Sequence, residues 1–161
     1  MAVFESRFFG DVVVEKGAFV RRETSLGSRV LTRSLFVGDE FGADQALLDR
    51  AASLVDTMET LDQRAREAID AEGDDVPGYV TFHLEELEDD VLRRIFGADR
   101  AAIDRAAFLA KLDLVGVAVH VREPAGFSLV LDYSLGPSVS DQLLAVTFDM
   151  EGRATRVSHE S

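Results

Sequence analysis

Between Phe4 and Val37 the apolar residues fall in short β-branched or aromatic runs: Phe8-Phe9, Val12-Val13-Val14, Phe19-Val20, Val30-Leu31 and Leu35-Phe36-Val37. Gly10-Asp11, Lys16-Gly17 and Leu26-Gly27-Ser28 interrupt them with residues that suit tight turns, which predicts two or three antiparallel strands. The charges among them, Arg21, Arg22, Glu23, Arg29 and Arg33, are expected on a solvated face or a sheet edge, where they discourage edge-to-edge pairing.

After Gly38-Asp-Glu-Phe-Gly42 the period becomes helical. Leu47, Leu48, Ala51, Leu54, Val55 and Met58 recur three and four apart, with Asp44, Asp49, Arg50 and Asp56 opposite, so one stripe faces a core. Thr60-Leu-Asp-Gln63 has the capping-box pattern and predicts a second helix that carries Leu61, Ala65, Ala68 and Ile69 inward and stops near Gly73, with one bent helix as the alternative. Asp74-Asp-Val-Pro-Gly78 reads as a linker able to cap the next helix. Val80, Leu84, Leu87, Val91 and Ile95 then form an i, i+4, i+7, i+11, i+15 ladder, which predicts one helix from Tyr79 to Phe96 ending at Gly97. A further helix runs to about Leu112, with Ile103 and Phe108 bracketing Asp104 as a staple brackets an N-cap.

From Leu114 the period is two. Val115, Val117, Val119 and Val121 face one way and Leu114, Gly116, Ala118 and His120 the other, so this strand is expected to be central and apolar on both faces. Glu123-Pro-Ala-Gly126 leads into Phe127–Tyr133, with Phe127, Leu129, Leu131 and Tyr133 on one face. A loop at Gly136–Asp141, a strand at Leu143–Asp149, a hairpin turn at Met150–Arg153 and a strand at Ala154–Ser158 complete an antiparallel meander. Strands, then helices, then strands imply an α+β fold: an antiparallel sheet built from the N-terminal strands and the C-terminal meander, with a central block of helices on one face. One domain over residues 1–161 is expected, made of strands (1–38), an acidic helical block (39–112) and antiparallel strands (113–161).

Charge sharpens this outline. The net charge is −13, and residues 39–104 carry 19 acidic against 6 basic side chains, so the whole excess lies in the helical block. Phosphate-bearing surfaces repel such a protein, which argues against nucleic acid and membrane as partners and for a basic protein. No cysteine is present, which excludes disulfides, thiol nucleophiles and thiolate metal sites. No basic-then-apolar leader opens the sequence and no apolar run approaches membrane-spanning length, which points to the cytoplasm.

Candidate chemistry is sparse. On the helix expected at 79–96, His83, Glu86 and Asp90 lie at i, i+3 and i+7, a spacing that would allow a metal-assisted hydrolase. The plainer expectation is a solvated acidic face of His83, Glu85, Glu86, Glu88, Asp89 and Asp90 that binds a partner, with no catalytic residue, metal or cofactor. His120 is expected as a core histidine with one backbone partner rather than a residue in a pocket floored by Gly116 and Ala118. His159 is expected to be exposed and inert. Ser134–Asp141 gathers hydroxyls and an acid but has no Gly-x-Ser-x-Gly elbow, so a turn in which Ser140 and Asp141 bond their own backbone is expected. Tyr79, Phe82 and Phe8-Phe9 read as core, because nothing basic accompanies them.

Phe9-Gly10, Phe82-His-Leu-Glu-Glu-Leu87, Phe108-Leu-Ala-Lys-Leu-Asp-Leu-Val-Gly116, Leu131-Asp-Tyr-Ser134, Ser140-Asp-Gln-Leu-Leu-Ala-Val-Thr-Phe-Asp149 and His159-Glu-Ser161 together resemble a group of small bacterial proteins classed as a domain of unknown function. The resemblance spans nearly the whole chain and brings no catalytic residues with it. Its similarity to small acidic proteins of bacterial toxin-immunity loci implies a neutralising, protein-binding role.

Overall fold

Side-chain alternation decides the first pairing. In the computed structural model, which describes residues 1–26, 29–73 and 76–161, β1 (Ala2–Phe4) and β2 (Val12–Val14) pair antiparallel, with Ala2 opposite Val14. Ala2, Phe4, Val12 and Val14 are buried, whereas Val13 points out. Phe8 and Phe9, expected in a strand, lie in the turn between them, where the Phe9 ring is fully buried and meets Phe4 edge-on at 5.4 Å.

β3 (Phe19–Leu26) and β4 (Arg29–Val37) form a hairpin. Its expected turn at Gly27 and Ser28, like Asp74 and Asp75 of the expected linker, lies outside the described residues. The N-terminal part therefore holds four strands in two sheets rather than two or three. Two of its arginines are not simply solvated. Arg22 donates to Asp11 O at 3.0 Å and Arg33 to Phe8 O at 2.9 Å, so both tie the β1–β2 turn to the main sheet.

β5 (Asp113–Arg122), β6 (Gly126–Ser134), β7 (Leu143–Phe148) and β8 (Ala154–Glu160) complete a six-stranded sheet in the order β3-β4-β5-β6-β7-β8. Neighbours are antiparallel except β4 and β5, which run parallel with Thr32 opposite Gly116. A parallel pair needs a long crossover, and all the helices among the described residues lie in that one connection. A bulge between Leu114 and Gly116 shifts the register. It breaks the expected alternation, so Val115 lines the same side as Gly116 and Ala118.

The fold is α+β, with a mostly antiparallel sheet and the helices packed on one side. Leu35, Val119, Leu129, Leu131, Tyr133 and Val146 of the covered face are fully buried and join the helices in one core. Each such aliphatic or aromatic residue stabilises by roughly 1.5–3 kcal/mol. The other face is open and exposes Phe19, Val30 and Phe36.

Asp44 caps α1 (Gln45–Val55) by accepting the Leu47 N–H at 3.1 Å. α2 (Met58–Ala71) starts ahead of the expected capping box, and the two are separate helices. They part where Asp56 turns aside to accept the Ser6 hydroxyl at 2.7 Å and the Phe8 N–H at 3.1 Å. The helix expected from Tyr79 to Phe96 is also two, α3 (Tyr79–Glu86) and α4 (Asp89–Phe96), separated by extended backbone at Leu87 and Glu88. Unbroken, five carboxylates would crowd two turns; the break instead sets Asp89 and Asp90 at a helix start, where the dipole favours them. Arg100 holds the elbow, donating to Leu87 O at 2.6 Å and Asp89 at 3.0 Å. In α4 Leu92, outside the expected ladder, is the fully buried residue. α5 (Arg105–Leu109) is capped by Asp104, which accepts the Ala107 N–H at 2.8 Å, and Ile103 and Phe108 are buried on either side as the staple requires.

Candidate functional site

The acids of the elbow face water. Glu85, Glu86, Glu88, Asp89 and Asp90 are all exposed. Asp89 is neutralised by Arg100 at 3.0 Å, and Arg93 by Asp99 at 3.2 Å. Among the described residues Glu85, Glu86, Glu88 and Asp90 have no ion-pair partner within the chain. Four carboxylates without an internal counterion make this corner a source of negative potential.

His83 does not belong to that surface. The spacing places it beside Glu86 and Asp90, but its side chain is only 1% exposed on the inner side of α3. The continuous helix assumed by that spacing breaks at Leu87, which puts Asp90 on a different helix. Nδ1–H donates to Tyr79 O at 2.8 Å, so the neutral ring offers Nε2 as acceptor to the Ser140 hydroxyl at 2.7 Å. Burial pushes the imidazole below its usual range, against the opposing pull of Tyr79 O and Asp141, and keeps it neutral. With both ring nitrogens in use, His83 is not free to ligate a metal. Among the described residues no group of three or more His, Cys, Asp and Glu side chains is placed to hold one.

Ser140 is the partner that sequence spacing could not supply. Its Oγ also accepts the Gln142 N–H at 3.1 Å, the local turn expected of it, while Asp141 accepts from the Gln142 side chain at 2.8 Å rather than from backbone. A hydroxyl donating to an imidazole fixed by a third group is the order found in serine hydrolases. Here the ring lies under Tyr79, Phe82 and Phe108, at centroid separations of 4.3, 5.2 and 5.7 Å. The group is built as a latch from loop to helix. His159, expected to be exposed and inert, is half-buried beside it: Nε2–H donates to Gln142 Oε1 at 2.8 Å, and the ring meets Tyr79 and Phe82 edge-on. Phe82, expected in the core, is 36% exposed and covers both histidines.

His120 is on the open face of the sheet, not in the core. Its ring stacks on Phe36 at 4.6 Å with an interplanar angle of 2°, and burial together with Arg122 lowers its pKa.

Sequence reasoning missed one residue on that face. Asp132 alternates with the buried Leu131 and Tyr133 and so points away from the helices, into a concavity of about 610 Å³. Burial, reinforced by Glu160, raises its carboxyl to about 6. The signal was its place on the polar side of β6, but only the fold gives it neighbours.

Fold and site define an α+β protein with an acidic elbow on its helical layer and a neutral buried histidine beneath it. No family model matches the chain, and neither does any characterised protein or solved structure. Among the described residues no helix is long and apolar enough to cross a membrane.

Proposed function

We propose that this protein is a non-catalytic binding domain of the immunity or inhibitor type, which presents the exposed carboxylates of the α3–α4 elbow to a basic protein. The observation that carries the reading is the set Glu85, Glu86, Glu88 and Asp90, exposed and without a cation of their own chain among the described residues. Charges already paired within a molecule steer partners weakly; unpaired ones of a single sign raise the association rate and fix orientation. The hydrolase alternative on His83, Glu86 and Asp90 has less support, because Tyr79 O and Ser140 occupy the imidazole.

The reading is tested with hen lysozyme as a basic probe protein. Association rates are measured at low and at physiological salt for the wild type and for the variant Glu85→Gln, Glu86→Gln, Glu88→Gln and Asp90→Asn. The wild-type rate is expected to fall by about tenfold or more as salt rises, and the variant to lose most of that dependence. A wild-type rate indifferent to salt, or a variant with an unchanged slope, sinks the reading.

A further inference from the structure

The open face of the main sheet has a built floor. Thr32 and Ser34 of β4 stand opposite Gly116 and Ala118 of β5, and Gly116 stands opposite Asp132 of β6. Small side chains at the centre and larger ones around them, Phe19 and Phe36 at one end and Leu143 at the other, hollow the face into a trough of about 610 Å³. That volume lies within the range of sites for small organic ligands. Gly116 keeps the trough open next to the acid, since a Cβ there would come 3.1 Å from Asp132 Oδ2.

The polar groups in the trough are unspent. The hydroxyls of Thr32 and Ser34 and the carboxylate of Asp132 line it, and no hydrogen bond or ion pair within the described residues engages any of the three. On the far wall Arg21 and Glu23 neutralise one another at 2.9 Å, whereas Glu160 adds its charge to that of Asp132. A half-buried carboxylate without a donor is costly unless something supplies one. The Phe19 and Phe36 rings, 4.8 Å apart, offer an apolar surface that also tolerates positive charge.

The geometry points to a small-molecule site on this face that takes a compact organic cation, a protonated amine on a flat apolar body, with the ammonium on Asp132 and the body lying over Gly116 and Ala118 toward Phe36. The site is separate from the acidic elbow and does not depend on the role proposed for it.

The probe is 2-phenylethylamine, with 2-phenylethanol as its neutral counterpart, titrated into the full chain and followed by backbone amide chemical shifts. The amine is expected to give saturable shifts at Thr32, Ser34, Gly116, Ala118 and Asp132 and to bind about tenfold or more tightly than the alcohol. Asp132→Asn is expected to bring the amine down to the level of the alcohol. Ala118→Leu, which fills the floor without touching charge, is expected to abolish both. Equal binding of amine and alcohol overturns the assignment. So do shifts confined to Glu85–Asp90, or a wild-type chain that sediments as a dimer with these strands protected by a second copy.

Discussion

Ser140 Oγ lies 2.7 Å from His83 Nε2 across 57 residues of sequence, and that bond fastens the loop before β7 to the inner face of α3. The two side chains act as a unit. Removing either leaves the other with a polar atom in an apolar setting. Ser140→Ala is expected to cost about 1–2 kcal/mol and His83→Ala about 2–4 kcal/mol, the larger figure including the space left by the ring. The double variant should cost less than the sum by about 0.5–1.5 kcal/mol. Urea unfolding of the four proteins checks this; strict additivity would mean that the bond contributes nothing.

The same imidazole sets an acid limit. Its folded pKa is lowered by burial from the ordinary 6.5, so between the two values the unfolded chain binds the extra proton. The stability held by a neutral His83 is complete above pH 6.5 and is lost as pH falls through that value toward the folded pKa. A His83→Gln variant, which cannot titrate, is expected to be less stable at pH 7.5 and to show a flatter pH dependence below 6.5. Thermal melts from pH 7.5 to 5 measure it, and parallel curves for both proteins would contradict it.

Asp132 has the opposite sign. Burial raises its folded pKa to about 6 from 3.8, so the folded chain binds the extra proton and the carboxylate costs stability above pH 6. Asp132→Asn removes a charge, keeps the shape, and is expected to raise the melting temperature at pH 7.5. Its advantage should shrink as pH falls from 6 and vanish near 4. A variant no more stable than wild type at pH 7.5 would show that the carboxylate is better solvated than its surroundings imply.

At the elbow, Arg100→Ala is expected to destabilise by about 1–2 kcal/mol, because the carbonyl of Leu87 and the charge of Asp89 lose one shared donor. Amide exchange should then quicken in α4 before the rest of the chain. Uniform exchange across all elements would argue against a local role.

How much of this was legible depends on the range of the interactions. The α1 stripe from Leu47 to Val55, the Asp104 cap and the alternation of Phe127, Leu129, Leu131 and Tyr133 rest on neighbours a few residues away, and the structure has them as read, although Met58, expected to close that stripe, opens α2 instead. The break at Leu87 was hidden because the apolar period runs straight through it. What stops the helix is local repulsion together with Arg100, which the period does not register. His83 was misplaced by the same assumption, and the residue that occupies it lies 57 positions on. The elbow acids were legible as exposed charge, whereas Asp132 acquires a site only when β4 and β5 are set side by side.

That adjacency has a kinetic side. The β3–β4 pair and the β5–β8 meander each join strands that follow one another in sequence, but their seam joins residues as far apart as Arg29 and Asp113, an ion pair 84 positions distant. Closing a loop of that length costs about 2–3 kcal/mol more chain entropy than closing a five-residue turn. The union of the two halves therefore waits on the helices that shorten the gap. Weakening the helical layer should slow the appearance of the whole sheet more than weakening any one of its turns.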